Sequence, residues 1–168
     1  MILYGTTHRV GDGVTTADII APHHRDDDPA TLAAQCLAAI DPAIAGRARD
    51  GDILLAGREF GAGDHPDVAV LALQAAGFTA VICTSADASF ATAAQHYGLP
   101  VLVCPDAVAA IAPGSIVRLD LARGRIEDRT HGHAYTTTPC SPELLTAVRQ
   151  AHLLARMRRV VEEEGFDG

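Results

Sequence analysis

The sequence predicts a single α/β domain with a mostly parallel central sheet, C-terminal antiparallel hairpins and a terminal helix. Two observations carry this. Runs apolar on both faces, at 53–56, 79–83 and 101–104, alternate with helical stretches. Buried strands joined in this way run parallel, with right-handed crossovers. Beyond Gly114 the pattern changes to short alternating stretches between Gly-containing turns, which marks an antiparallel meander.

The elements follow in order. After a short opening strand, Gly11-Asp12-Gly13 forms a turn and residues 18–22 run on extended. Asp28 reads as an N-cap with Pro29 at the first helical position. Leu32, Cys36, Leu37 and Ile40 then fall on one helix face. Gly51-Asp52 opens the 53–56 strand, and a glycine-rich loop over 57–66 feeds a helix over 66–76, closed by Gly77 in a left-handed conformation. A further helix over 86–97 stops at Gly98. Short strands are expected at 116–121, 125–129 and 134–138. Ser141 caps the last helix, with Pro142 at its first position, and this helix runs into Glu162-Glu163-Glu164. On it, Arg158 with Glu162 and Arg159 with Glu163 have the spacing of exposed i,i+4 pairs.

The 168 residues suit one domain spanning 1–168. With 13 Lys+Arg against 21 Asp+Glu the net charge is −8, which argues against a broad nucleic-acid surface. No apolar stretch approaches the roughly 18 residues of a membrane span, and the opening segment lacks the pattern of a signal peptide. A soluble, cytoplasmic protein is expected. Cys36, Cys83, Cys104 and Cys140 are scattered and read as small buried hydrophobes, so no metal or cluster is expected in this chain. His131-Gly132-His133 lies at a hairpin turn, where polar residues are ordinary.

The loop Phe60-Gly61-Ala62-Gly63-Asp64-His65-Pro66-Asp67 is the most informative stretch. Gly61 and Gly63 permit positive φ, and the helix behind them offers unpaired amides to an anionic group such as a carboxylate. Ligands of open α/β sheets bind outside the carboxyl ends of strands, where this loop belongs. The alternative is a βα connection whose glycines serve tight packing alone. Pro66 takes the place of the third glycine of a dinucleotide fingerprint, and no Gly-Lys-Ser/Thr makes a Walker loop.

A co-linear series runs along nearly the whole chain. It comprises Gly11-Asp12-Gly13-Val14, Ile19-Ile20, Asp41-Pro42, Gly51-Asp52-Ile53-Leu54-Leu55-Ala56-Gly57, Phe60-Gly61-Ala62-Gly63, Ala72-Leu73, Gly77, Ala80-Val81-Ile82 and Gly98-Leu99-Pro100. In these pieces the chain resembles the small, swivel-domain subunits of 3-isopropylmalate dehydratases, in the aconitase superfamily. The resemblance implies a swivelling β/β/α-type domain and a place in leucine biosynthesis. It also implies a large partner subunit holding a [4Fe–4S] cluster, in a heterodimer or heterotetramer. The cluster acts there as a Lewis acid, and the small subunit closes over a hydroxy-di- or tricarboxylate with a serine that handles the α-proton and an arginine that grips a carboxylate.

The chain departs from that pattern at the site. Where the family loop reads Phe-Gly-Cys-Gly-Ser-Ser-Arg-Glu, the serine position is Asp64 and the arginine position is Pro66. A proline cannot form the bidentate carboxylate clamp. The family's Asp-Thr-Asp is Thr15-Thr16-Ala17, with Asp18 one step later. Its specificity loop is replaced by Pro22-His23-His24-Arg25-Asp26-Asp27-Asp28, and its Phe-Tyr-Arg-Asn by Phe90-Ala91-Thr92-Ala93. The expected proton-handling residues are therefore Asp64 and His65. Gly61, Gly63, His23, His24 and Arg25 are expected to contact substrate. The rival expectation is a repurposed swivel-domain protein with a structural or regulatory role.

Overall fold

A computed structural model describes residues 1–24 and 26–164. Seven strands form one sheet in the order β4-β3-β2-β1-β5-β6-β7. Here β1 is Ile2–Arg9, β2 Ile53–Ala56, β3 Ala80–Cys83 and β4 Val101–Val103. The antiparallel continuation is β5 Ile116–Asp120, β6 Arg125–Asp128 and β7 His133–Thr136. The pairings β1·β2, β2·β3 and β3·β4 are parallel, as the doubly apolar runs demand. The hairpin strands continue the same sheet from the other side of β1 rather than forming a separate layer.

Alternation along β2 distributes its side chains between two cores. Leu54 and Ala56 enter one with Val81, Cys83, Phe60 and Phe90, while Ile53 and Leu55 enter the other with Ile82, Leu102, Ile111 and Val148. The first core lies under α2 (Pro29–Gln35), α4 (Pro66–Ala76) and α5 (Ala88–Tyr97). The second is covered by α6 (Pro105–Ala110) and the start of α7 (Pro142–Glu163). A buried Phe such as Phe90 contributes roughly 2–3 kcal/mol, so these layers dominate stability.

Caps set the helix boundaries. Asp28 accepts from the Thr31 N–H at 2.9 Å, and Ser141 Oγ accepts from Leu144 at 3.2 Å. Gly77 and Gly98 close α4 and α5 in left-handed conformations.

Four details differ from the sequence reading. Residues 16–19 form a short helix, α1 (Thr16–Ile19), where an extended run was expected. Its cause is a capping box: Thr15 Oγ1 accepts from the Asp18 N–H at 3.2 Å, and the Asp18 carboxylate accepts from the Thr15 N–H at 3.0 Å. Helix α2 ends at Gln35, because Leu37 turns left-handed (φ 60°) to donate its N–H to the Ile19 carbonyl at 2.7 Å. Two further short helices, α3 (Pro42–Arg47) and α6, each begin with proline at the first position. On α7, Arg159 reaches Asp50 at 3.0 Å instead of pairing with Glu163.

Candidate active site

The glycine-rich loop leaves the carboxyl end of β2 and crosses the segment that follows β1. Its backbone is fixed on both sides. The Gly61 N–H donates to Val14 at 2.8 Å, and the Thr16 N–H donates to Ala62 at 2.9 Å, a parallel bridge between chain segments distant in sequence. On the far side, Phe60 donates to Ser85 at 3.1 Å and accepts from Asp87 at 2.9 Å. Asp12 accepts from the Arg58 N–H at 2.7 Å, which holds its carboxyl below the usual carboxylate range.

Each glycine of the pair has a specific neighbour. Gly61 (φ 86°) lies over the Phe90 ring, where a Cβ would stand 2.4 Å from Cγ. Phe90 is itself set edge-on to Phe60, with ring centroids 5.1 Å apart. Gly63 (φ 128°) faces Thr16, and a Cβ there would stand 2.5 Å from Oγ1. His65, the N-cap of α4, is held left-handed (φ 55°, ψ 54°), a conformation uncommon outside glycine. The His65 side chain makes no capping hydrogen bond to α4, and Pro66 at its first position has no N–H to cap.

Between the loop and the Thr15–Pro22 segment lies a cavity of about 280 Å³. Ile20, Ala21, Pro22 and Val68 supply an apolar wall, while Thr15, Thr16, Asp64 and His65 bring polar groups. Thus Asp64, His65 and Gly63 line one cavity, and Gly61 shapes the loop from beneath without lining it. His23 and His24 sit on the adjoining 3-10 turn, Pro22–His24, outside the lining. Their rings meet tilted at 45° with centroids 4.0 Å apart, and His24 Nδ1 lies 2.7 Å from Asp27 Oδ2. Arg25 lies outside the described residues. Thr15, Thr16, Ile20 and Val68 were not singled out from sequence as site residues. The Thr15-x-x-Asp18 capping box was the available signal for Thr15 alone.

Among the described residues no three His, Cys, Asp or Glu side chains converge. All four cysteines are free. Burial pushes the Cys36 thiol up to about 12 and the Cys83 thiol to about 11, which disfavours the thiolates a cluster needs. His131 is engaged by the buried Asp128, with Nδ1 2.9 Å from Oδ2. No described helix is long and apolar enough to cross a membrane.

Comparison with known proteins decides the family. The 3-isopropylmalate dehydratase small subunit of Moorella thermoacetica is 34% identical over 163 residues, covering 96% of this chain and 98% of that protein. The chain belongs to the 3-isopropylmalate dehydratase small-subunit family. A crystal structure of 3-isopropylmalate dehydratase from Methanocaldococcus jannaschii superposes with a TM-score of 0.81 at 29% identity, covering 99% of this chain and 100% of that one. The 2,3-dimethylmalate dehydratase small subunit of Eubacterium barkeri is 38% identical over 133 residues, covering 78% of this chain and 81% of that one. No protein-family model matches the chain. The α/β architecture expected from sequence, with its terminal helix, matches that structure, and the family is one of dehydratase, that is hydro-lyase, subunits.

Proposed function

We infer that the chain is the small subunit of a dehydratase acting on a malate with an apolar alkyl branch. One observation carries this reading: a single cavity sets Ile20, Ala21, Pro22 and Val68 beside Asp64 and His65. A 3-isopropylmalate or 2,3-dimethylmalate needs both surroundings, apolar for the branch and polar for the reacting carbons. The relatives act, by their names, on these two branched malates.

In the reaction a C–H and a neighbouring C–OH bond break: the C–H pair becomes the second bond of a C=C, the C–O pair departs with the hydroxyl, and proton and hydroxide together make the water released. Rehydration returns the elements of water with the positions exchanged. Asp64 takes the role of base, its carboxylate receiving the proton as the C–H pair moves into the double bond. Its negative charge repels a dicarboxylate, and His65 beside it is the group placed to contact the substrate. The uncapped first turn of α4 offers amides to a substrate carboxylate where the family arginine is missing. In this reading the [4Fe–4S] cluster that the family resemblance implies is held by the large subunit. The assembly is cytoplasmic, in keeping with four unpaired cysteines.

The test is co-expression with the large subunit encoded beside it, anaerobic purification of the complex, and assay on both malates. Turnover on at least one supports the reading. An assembled, cluster-loaded complex inert on both contradicts it.

A further inference from the structure

Helix α7 is apolar on two opposite faces. One face holds the domain: Val148 is buried, and the Ala147 carbonyl stands so close to Gly98 that a Cβ there would lie 2.3 Å from it. Arg159 reaches Asp50 from the same side. Met157 follows Val148 by about two and a half turns and so faces away from the domain. Leu153, Leu154, Val160 and Val161 surround it, and these side chains with Met157 are 46% to 60% exposed. Their spacing by threes and fours is that of a helix-pairing seam. A contiguous apolar stripe facing water marks an interaction surface.

The charges beside the stripe select its partner. Arg149, Arg156 and Glu163 succeed one another at seven-residue spacing, so they border the stripe on one side. Among the described residues neither Arg149 nor Glu163 has an ion-pair partner, since Asp50 occupies Arg159. We propose that the stripe pairs antiparallel with the same stripe of a second copy of this chain. That alignment sets Leu153 against Val160 of the second copy and Leu154 against its Met157. It also brings Arg149 beside Glu163 of the second copy, once at each end by two-fold symmetry. A parallel alignment would instead set Arg149 and Arg156 against the opposite edge of the stripe, at Leu154 and Val161 of the second copy, where they find no opposite charge. Arg156 meets its own counterpart at the centre, where the long stems splay their charges into water.

The experiment is sedimentation equilibrium of the full chain without large subunit, with circular dichroism to confirm folding of each variant. A reversible dimer is expected. Met157→Glu buries a charge in the seam and raises the dissociation constant at least about tenfold. Glu163→Arg weakens the dimer, and adding Arg149→Glu restores it. The proposal is overturned by a chain that stays monomeric at all concentrations, by a dimer indifferent to Met157→Glu, or by a double variant that does not recover. A monomeric chain whose Met157→Glu variant loses the large subunit overturns it too, and assigns the stripe to that subunit. No turnover is measured, so this outcome is independent of the dehydratase reading.

Discussion

Gly63 and Thr16 stand so close that a Cβ on the glycine would lie 2.5 Å from the threonine Oγ1. Beside them, the Thr16 N–H donates to Ala62 at 2.9 Å. This contact joins the loop carrying Asp64 to the wall carrying Ile20 and makes the cavity a fixed shape.

Alanine at either glycine therefore disturbs the site, by different routes. Gly61→Ala drives a methyl into the buried Phe90 ring and destabilises by about 3 kcal/mol or more. Gly63→Ala forces a strained φ and displaces a hydroxyl, destabilising by about 1–2 kcal/mol. Urea unfolding of the two variants checks the order. At Gly63 activity of the complex falls further than stability, because the loop moves off Thr16.

The apolar wall makes a prediction about substrate size. Val68 lines the cavity on the first turns of α4, and Val68→Phe fills part of its volume. The ratio of kcat/KM for 2,3-dimethylmalate over 3-isopropylmalate rises about tenfold or more. Equal losses on both substrates would place the alkyl branch elsewhere.

The strongest local signals were legible in the sequence. Asp28-Pro29 and Ser141-Pro142 begin helices, Gly77 and Gly98 end them, and the doubly apolar strands form the parallel half of the sheet. Helix α1 was missed because Ile19-Ile20 looks like extended chain, although its capping box is a local pattern. Asp41-Pro42 likewise carries the start signal of α3, which Asp41 caps by accepting from the Ala43 N–H at 3.0 Å. Leu37 could not be read: its left-handed turn answers a tertiary bond to Ile19. The same holds for the cavity. Asp64 and His65 stand out within their loop, but the wall opposite depends on the bridge from Thr15 to Ala62, which no local pattern encodes.

Acid sensitivity should be traceable to α7. Burial, and then Arg156 and Arg159, hold the His152 imidazole below its ordinary value of 6.5. The unfolded chain thus takes up the proton first as pH falls. The stability associated with neutral His152 is full above the unfolded value and is lost as pH falls through the folded one. His152→Gln accordingly loses less Tm than the unaltered chain between about pH 7.5 and about pH 5. Parallel losses in both proteins would exclude this group as the source.

The role of Asp64 is the central claim, and steady-state turnover of the assembled complex carrying Asp64→Asn tests it most directly. Asparagine keeps the size and removes the base. The expected result is a fall in kcat of about a hundredfold or more with KM little changed and the complex intact. Undiminished turnover would show that the proton leaves by another group.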